Sequence, residues 1–444
     1  MMRKSVLIPL LIVVFLLGTV TGYLLPKKDE TAATPQPTPT AGTTPGASVG
    51  SSSTSPTATP RTTGGTSTTS VTSPASTPAD PNLERVQSMT LDEKIGQMLL
   101  VGIDGTEMND QMNSLIKTYH AGGVILYKPN IESASQTVTL VNALKKANAA
   151  NSAPLFLGVD EEGGRVSRLP APYTKMPTSR SIGQVDKPAF SYEVGRMLAR
   201  QVASLGLNLD FAPVMDVDSN PDNPVIGDRS FGRSASIVSS LGVQTMKGLQ
   251  AEGVVTALKH FPGHGDTSVD SHLGLPIVNH NLERLRSLEL IPFSKAVKAG
   301  ADMVMVAHIL LPALDADYPA SFSKPVITDL LRGELGYDGV VITDDLTMGA
   351  VTKNYTLEKA AVKAIQAGGD ILLVGHGFTE EKTVFNAVKD AVQNGTLSEE
   401  RLNESVLRIL KLKEKYQLND NAGTTPDVNA INQAAKKLLN TYIK

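Results

Sequence analysis

The chain contains no cysteine and no tryptophan, and only 5% of its 444 residues are aromatic. The missing cysteine excludes a disulfide scaffold, Cys-ligated zinc, thiol catalysis and a lipidated N-terminal Cys. It is neutral as to compartment, since exported proteins also lack Cys. Large apolar residues are missing from one long stretch. Between Asp29 and Asn82 there is no Leu, Ile, Met, Phe or Tyr, and residues 31–80 hold 16 Thr, 9 Ser and 8 Pro. Such a segment has nothing with which to fill a core. A surplus of positive charge is lacking too. Residues 83–444 carry 36 basic and 41 acidic side chains, net −5, against five and three, net +2, in residues 1–82. A mildly acidic body argues against a protein built to hold polyphosphate backbones, so no nucleic-acid partner is expected.

The front end reads as an export segment. Arg3 and Lys4 precede an uncharged stretch from Ser5 to Pro26, with its apolar heart at Val6–Leu17, and Lys27 and Lys28 follow. About 20 apolar residues span a bilayer as a helix. Residues 1–28 therefore read as a membrane anchor or as a cleaved signal peptide, both of which begin with basic residues and an apolar run. Thr19-Val20-Thr21 is a poor small-residue cleavage signal, which favours the anchor. Either way the rest of the chain is exported, and with the anchor retained it is tethered outside the cell membrane. Residues 29–82 then form a disordered Thr/Ser/Pro-rich stalk.

From Leu83 onward, strand-like apolar runs alternate with amphipathic helical patterns. The strand candidates are residues 97–103, 122–127, 154–160, 207–217, 254–260, 302–309, 339–345 and 370–376. Helical patterns between them include residues 135–150 and 282–300. Short, nearly all-apolar strands separated by helices imply a parallel sheet covered on its outer face. A doubly wound open sheet is the alternative, but a count of eight favours closure. The expected fold class is α/β: a TIM-like (β/α)8 barrel forming a single catalytic domain over residues 83–416. Residues 398–416 would close its outside, and 417–444 form a C-terminal extension. A monomer is expected.

Most strand candidates end in a polar residue: Asp160, Asp216, Lys259-His260, His308, Asp344-Asp345 and His376. In a barrel these ends meet at one mouth, where active sites sit. The loop Leu258–Pro276 holds three of the seven His, together with Asp266 and Asp270. Asp270 lies two residues from His272, and a carboxylate beside an imidazole fixes its tautomer and raises its basicity. His260 and His264 have the four-residue spacing of a helical metal pair, but Pro262 and Gly263 between them break any helix. No metal and no cofactor is expected. Asp344 or Asp345 would project into the mouth as a nucleophile or charge stabiliser, the other capping or supporting the following turn. The segment Asp160–Arg168 offers acceptors and two guanidinium groups on a glycine turn, and Arg229 adds another. Alone, each of these is commonly a salt-bridged turn. Together, without metal ligands or a phosphate loop, they suit a hydroxyl-rich neutral substrate, and so a barrel hydrolase acting on sugar.

The motifs KHFPGHGDTSVDSHLGLP, VDEEGGRVSRL, DRSFG and ITDDLTMGA resemble glycoside hydrolase family 3, specifically its barrel-only β-N-acetylglucosaminidase branch, through about residues 85–416. The resemblance implies an exo-acting, retaining enzyme that removes terminal GlcNAc from peptidoglycan fragments or chitooligosaccharides. It assigns the nucleophile to Asp344 and the acid/base dyad to His272 and Asp270. Sugar-binding positions fall on Asp160, Arg168, Arg229, Lys259 and His260. Some members have Thr where this chain has Val306. A β-glucosidase-type sibling and a non-catalytic wall-binding module are the alternatives. The Asp-x-His loop argues against the first, and the joint presence of Asp344, Asp270 and His272 against the second.

Overall fold

The structure, a computed structural model, describes residues 80–443. The expected anchor or signal, 1–28, and the stalk up to residue 79 lie outside the described residues. Among the described residues no helix is long and apolar enough to cross a membrane.

Eight strands build the domain: β1 (Leu99–Val101), β2 (Gly123–Leu126), β3 (Phe156–Val159), β4 (Leu209–Asp210), β5 (Val255–Phe261), β6 (Met303–Val306), β7 (Val340–Thr343) and β8 (Leu372–Val374). They pair in parallel in the order β7-β6-β5-β4-β3-β2-β1-β8. A parallel bridge between Ile342 and Ile371 brings the two ends of the sheet together, with the Thr343 N–H donating to the Ile371 carbonyl at 3.0 Å. This is the expected TIM-like (β/α)8 barrel. Every strand residue is buried. That explains why the strands read as unbroken apolar runs rather than alternating ones: helices cover one face and barrel filling the other.

Two expectations are corrected. The fourth strand, anticipated over residues 207–217, is reduced to Leu209–Asp210. Pro213 has no N–H to give to the ladder, and the chain re-pairs there only as an isolated bridge, in which the Lys259 N–H donates to the Pro213 carbonyl and the Met215 N–H to the Lys259 carbonyl. The helical pattern 282–300 is two helices, Leu282–Ser287 and Leu290–Lys298. A continuous helix would need the missing Pro292 N–H and would drive the proline ring into the carbonyl of Leu288. The pattern at 135–150 forms the helix Ala134–Asn148, its N-terminus capped by the Ser133 side chain.

Helix-to-strand turns are short. Gly253 (φ 80°) and Gly300 (φ 92°) end the helices before β5 and β6 in the left-handed region that glycine enters without steric cost. The helix Glu399–Lys415 closes the barrel's outside and floor. Its Lys413 is buried, donates to Gln97 Oε1 (2.7 Å) and the Gly122 carbonyl (2.9 Å), and lies over the Phe156 ring. Burial without a carboxylate partner pushes this ammonium down to about 7. The helix Pro81–Ser88 starts behind the Asp80 cap and is held to the Glu399–Lys415 helix by a 2.8 Å Lys411–Asp80 ion pair. The last helix, Val428–Tyr442, stacks Tyr442 on Phe190. Its Asn432 accepts from the Thr174 N–H and donates to the Pro172 carbonyl.

Candidate active site

The strand ends converge as parallel-barrel geometry requires. Asp160, Arg168, Arg229, Lys259, His260, His272 and Asp344 all line one cavity of ≈ 360 Å³. Its apolar floor is made by barrel-interior side chains such as Ile125, Phe211, Met305 and Leu373. Asp270 is not among the lining residues.

One wall is a continuous chain of alternating charges. Arg168 lies 3.6 Å from Asp160. Lys259 donates to Asp160 Oδ1 at 2.7 Å and sits 2.7 Å from Glu162 Oε1. Arg229 grips Glu162 with both arms of its guanidinium, at 2.8 and 2.7 Å. Its Nη2 also reaches His260 Nε2 at 3.4 Å. On its other side the His260 ring meets Asp216 Oδ2 through Nδ1 at 2.7 Å. Burial favours the neutral form of Glu162, but Arg229 and Lys259 overcome it and hold the carboxyl well below the usual range. Burial opposes the charge of Lys259 as well, and Asp160 and Glu162 more than restore it. Asp216 is buried yet stays ionised below its ordinary range through His260 and His264.

Behind this wall stands a supporting layer. Asp216 Oδ1 takes the His264 N–H at 2.7 Å, and the His264 ring is pinned between Thr267 (2.8 Å) and Ser271 (3.2 Å). Burial, with the nearby His260 ring, pushes His264 down to about 4, so it is neutral. Both histidines thus have their ring nitrogens against protein partners. Glu161 is buried beneath the turn and accepts from the N–H groups of Arg168 (2.8 Å) and Leu169 (3.3 Å), while burial raises its carboxyl to about 7. Arg165 is occupied by Asp228 at 2.7 Å and by the Val225 and Ile226 carbonyls, outside the cavity.

The two adjacent carboxylates after β7 differ in their surroundings. Asp345 is spent on architecture. Its Oδ1 accepts from the Thr347 N–H (2.9 Å), the Thr347 hydroxyl (2.8 Å) and the Gly375 N–H (3.0 Å), and its Oδ2 faces the Tyr127 hydroxyl (3.3 Å). Asp344 is half-buried in the cavity. It takes a single bond, from the Asp345 N–H to Oδ1 at 2.9 Å. Burial pushes its carboxyl up, but His308, His260 and the Asp345 N–H outweigh that, with His272 adding to them, and keep it below the ordinary value. His308 lies beneath, donating from Nε2 to the Asp345 carbonyl (3.0 Å) and meeting Ser321 at Nδ1 (2.7 Å).

His272 is exposed at the cavity rim. The expected pairing of the Asp270 carboxylate with its ring is not what the structure contains. Asp270 Oδ1 instead accepts the backbone N–H of His272 at 2.9 Å. An Asp that bonds its own backbone two residues on makes a local turn that requires no movement of the loop. The loop is docked on the segment after β7: the Ala350 N–H donates to the Ser271 carbonyl, and Lys353 Nζ to that of Leu273. This docking carries His272 to Asp344's side of the mouth.

Several cavity or supporting residues were given no role in the site from sequence: Glu162, Asp216, Tyr127 and His376, while His264 was weighed only as half of a metal pair. Glu162 carried a signal, because it stands two residues from Asp160 and can share its side of the turn. Asp216 and His376 were visible only as polar strand ends.

The chain matches the glycosyl hydrolase family 3 N-terminal domain over residues 90–412. It is 37% identical over 334 residues to a β-hexosaminidase A of Pseudoalteromonas piscicida, covering 70% of this chain and 56% of that protein. It therefore spans little more than half the length of that relative. A β-hexosaminidase of Xylella fastidiosa is 38% identical over 285 residues, covering 63% of this chain and 83% of its own. Among solved structures, a family 3 β-N-acetylglucosaminidase from a Paenibacillus strain superposes with a TM-score of 0.75 at 39% identity, covering 80% of this chain and 69% of its own. A β-N-acetylhexosaminidase from Beutenbergia cavernae gives 0.69 at 31% identity, covering 73% of this chain and 99% of its own. The matched span takes in all eight strands and every residue of the cavity wall, and the chain belongs to glycosyl hydrolase family 3.

Proposed function

We propose that the chain is an exo-acting, retaining β-N-acetylglucosaminidase that removes terminal GlcNAc from peptidoglycan fragments or chitooligosaccharides. The observation that carries this reading is the contrast at the end of β7: Asp345 is saturated by loop hydrogen bonds, whereas Asp344 meets the cavity with one bond and a lowered carboxyl pKa. A carboxylate that is ionised and lightly solvated by protein is suited to attack an anomeric carbon. The names of the relatives, β-hexosaminidase and β-N-acetylglucosaminidase, support the glycosidase class and the GlcNAc unit.

In the proposed cycle Asp344 forms a glycosyl-enzyme while His272 protonates the leaving oxygen. His272 then takes a proton from water, which attacks the same carbon and regenerates Asp344. Asp270, bonded to the His272 backbone N–H, holds the turn that presents His272 at the rim. The charged wall of Asp160, Arg168, Lys259, Arg229 and His260 takes the sugar hydroxyls, which suit alternating donors and acceptors. A cavity of ≈ 360 Å³ is near the small end for ligand sites, which favours one terminal sugar over a chain running through. We further propose that residues 1–28 anchor the barrel outside the cell membrane on the 29–82 stalk. The full-length protein then sediments with membranes, and protease cleavage in the stalk releases an active barrel.

A panel of chromogenic β-glycosides tests the activity. The reading requires turnover of the N-acetyl-β-glucosaminide well above the β-glucoside. Preference for the glucoside would move the chain to the glucosidase-type branch, and binding without turnover of any glycoside would leave a wall-binding module.

A further inference from the structure

Tyr127 and His376 have no part in the cycle above, yet they form one side of the cavity mouth. Tyr127 follows β2 and His376 follows β8, the two strands that flank β1. Their rings stack with centroids 4.7 Å apart and planes inclined by 22°. Tyr127 is fixed from three directions. Its backbone N–H donates to Asn130 Oδ1 at 2.7 Å, and its hydroxyl faces Asp345. Gly375 packs so closely that a Cβ there would lie 2.2 Å from the Tyr127 oxygen. His376 stands between Gly375 and Gly377 (φ 91°), a corner that brings the imidazole over the tyrosine. Unlike His260, His264 and His308, it is exposed, and neither ring nitrogen has a hydrogen-bond partner among the described residues.

An immobilised aromatic carrying an exposed imidazole offers a flat apolar face and two unused polar nitrogens. That combination matches a pyranose, which has C–H groups on its faces and hydroxyls around its edge. The charged wall from Asp160 to His260 lies within the cavity, which is small enough to be filled by the terminal sugar. His376 stands at the mouth, where the remainder of a bound saccharide would emerge past His272.

We propose that the Tyr127–His376 pair is the contact surface for the hexosamine residue on the leaving side of the cleaved bond, and so sets preference among saccharide substrates. This rests on the glycosidase reading above. The His376 imidazole stacks on that ring and hydrogen-bonds one of its hydroxyls, while Tyr127 holds the imidazole in place from behind.

The test compares kcat/KM for N,N′-diacetylchitobiose with that for N-acetyl-β-glucosaminyl fluoride, whose one-atom leaving group cannot reach the mouth. The His376→Ala variant should lower the chitobiose-to-fluoride ratio about tenfold, the scale of one lost aromatic contact. His376→Phe, which keeps the stack, should recover much of that ratio. An unchanged ratio in His376→Ala, whether both substrates suffer equally or neither does, overturns the proposal while leaving the glycosidase reading intact. If the wild-type enzyme turns over neither substrate, the reading fails, and the proposal with it.

Discussion

Replacing Glu162 by Gln removes one charge from the cavity wall at nearly constant volume. Glu162 is 3% exposed and Lys259 2%, and they meet at 2.7 Å. Arg229, 13% exposed, holds both carboxylate oxygens of Glu162. In the variant Lys259 keeps Asp160 at 2.7 Å, whereas Arg229 keeps only its 3.4 Å contact with His260. The new amide also presents N–H donors to a cation. Breaking a buried pair on one side costs about 3–5 kcal/mol. Cavity water reaches Arg229, so the low end applies, about 3 kcal/mol. With a urea m-value of about 3 kcal/mol/M or more for a domain of this size, the denaturation midpoint should fall by up to about 1 M. Asp228→Asn is the contrast. It breaks an Arg165 pair of the same 2.7 Å length whose partners are 49% and 44% exposed, and should cost under about 1 kcal/mol. If Glu162→Gln unfolds within about 0.5 kcal/mol of wild type, or if Asp228→Asn costs as much, burial is not what gives these charges their weight.

Asp344→Asn should abolish turnover and leave the fold intact, while Asp345→Asn should loosen the loop after β7 and lower thermal stability. Activity assays and melting curves on both variants separate the two, and the reverse pattern would exchange their roles. His272→Ala should reduce turnover of poor leaving groups about 10²–10⁴-fold and spare activated aryl glycosides; an equal loss on both would mean a binding or folding defect. His264 is buried neutral, with its pKa lowered from 6.5 to about 4. Between those values the unfolded chain binds a proton that the native state refuses. Its contribution is therefore complete above pH 6.5 and lost as pH falls toward 4, amounting to about 3 kcal/mol. The stability difference between wild type and His264→Asn should narrow across that interval in acid denaturation series; a difference independent of pH would contradict the assignment.

The barrel was legible because most of the strands β1 to β8 are apolar on both faces and separated by helices, and a count of eight favours closure over an open sheet. Strand four was overread because the apolar run Leu207–Val217 does not reveal where its pairing partners stop; Pro213 was the available sign. The break at Leu288 was equally readable from Pro292. The cavity side chains were found where a residue type is costly to bury without purpose, as with Lys259 and Asp344. Glu162 and Asp216 escaped because a carboxylate that only orients a neighbour looks, in sequence, like any other acidic turn residue. The orientation of Asp270 could not be read at all. A carboxylate two residues before a histidine can reach either the ring or the backbone N–H, and only the loop's conformation decides between them.

Asp344 as nucleophile is the claim on which the account rests most heavily. Incubation with 5-fluoro-N-acetylglucosaminyl fluoride, which slows breakdown of a glycosyl-enzyme more than its formation, followed by proteolysis and peptide mass spectrometry, tests it directly. The account predicts one covalent glycosyl adduct, located on Asp344 in the peptide containing Ile342-Thr343-Asp344-Asp345. An adduct on Asp345 or on any other residue, or steady inactivation with no adduct, would contradict it.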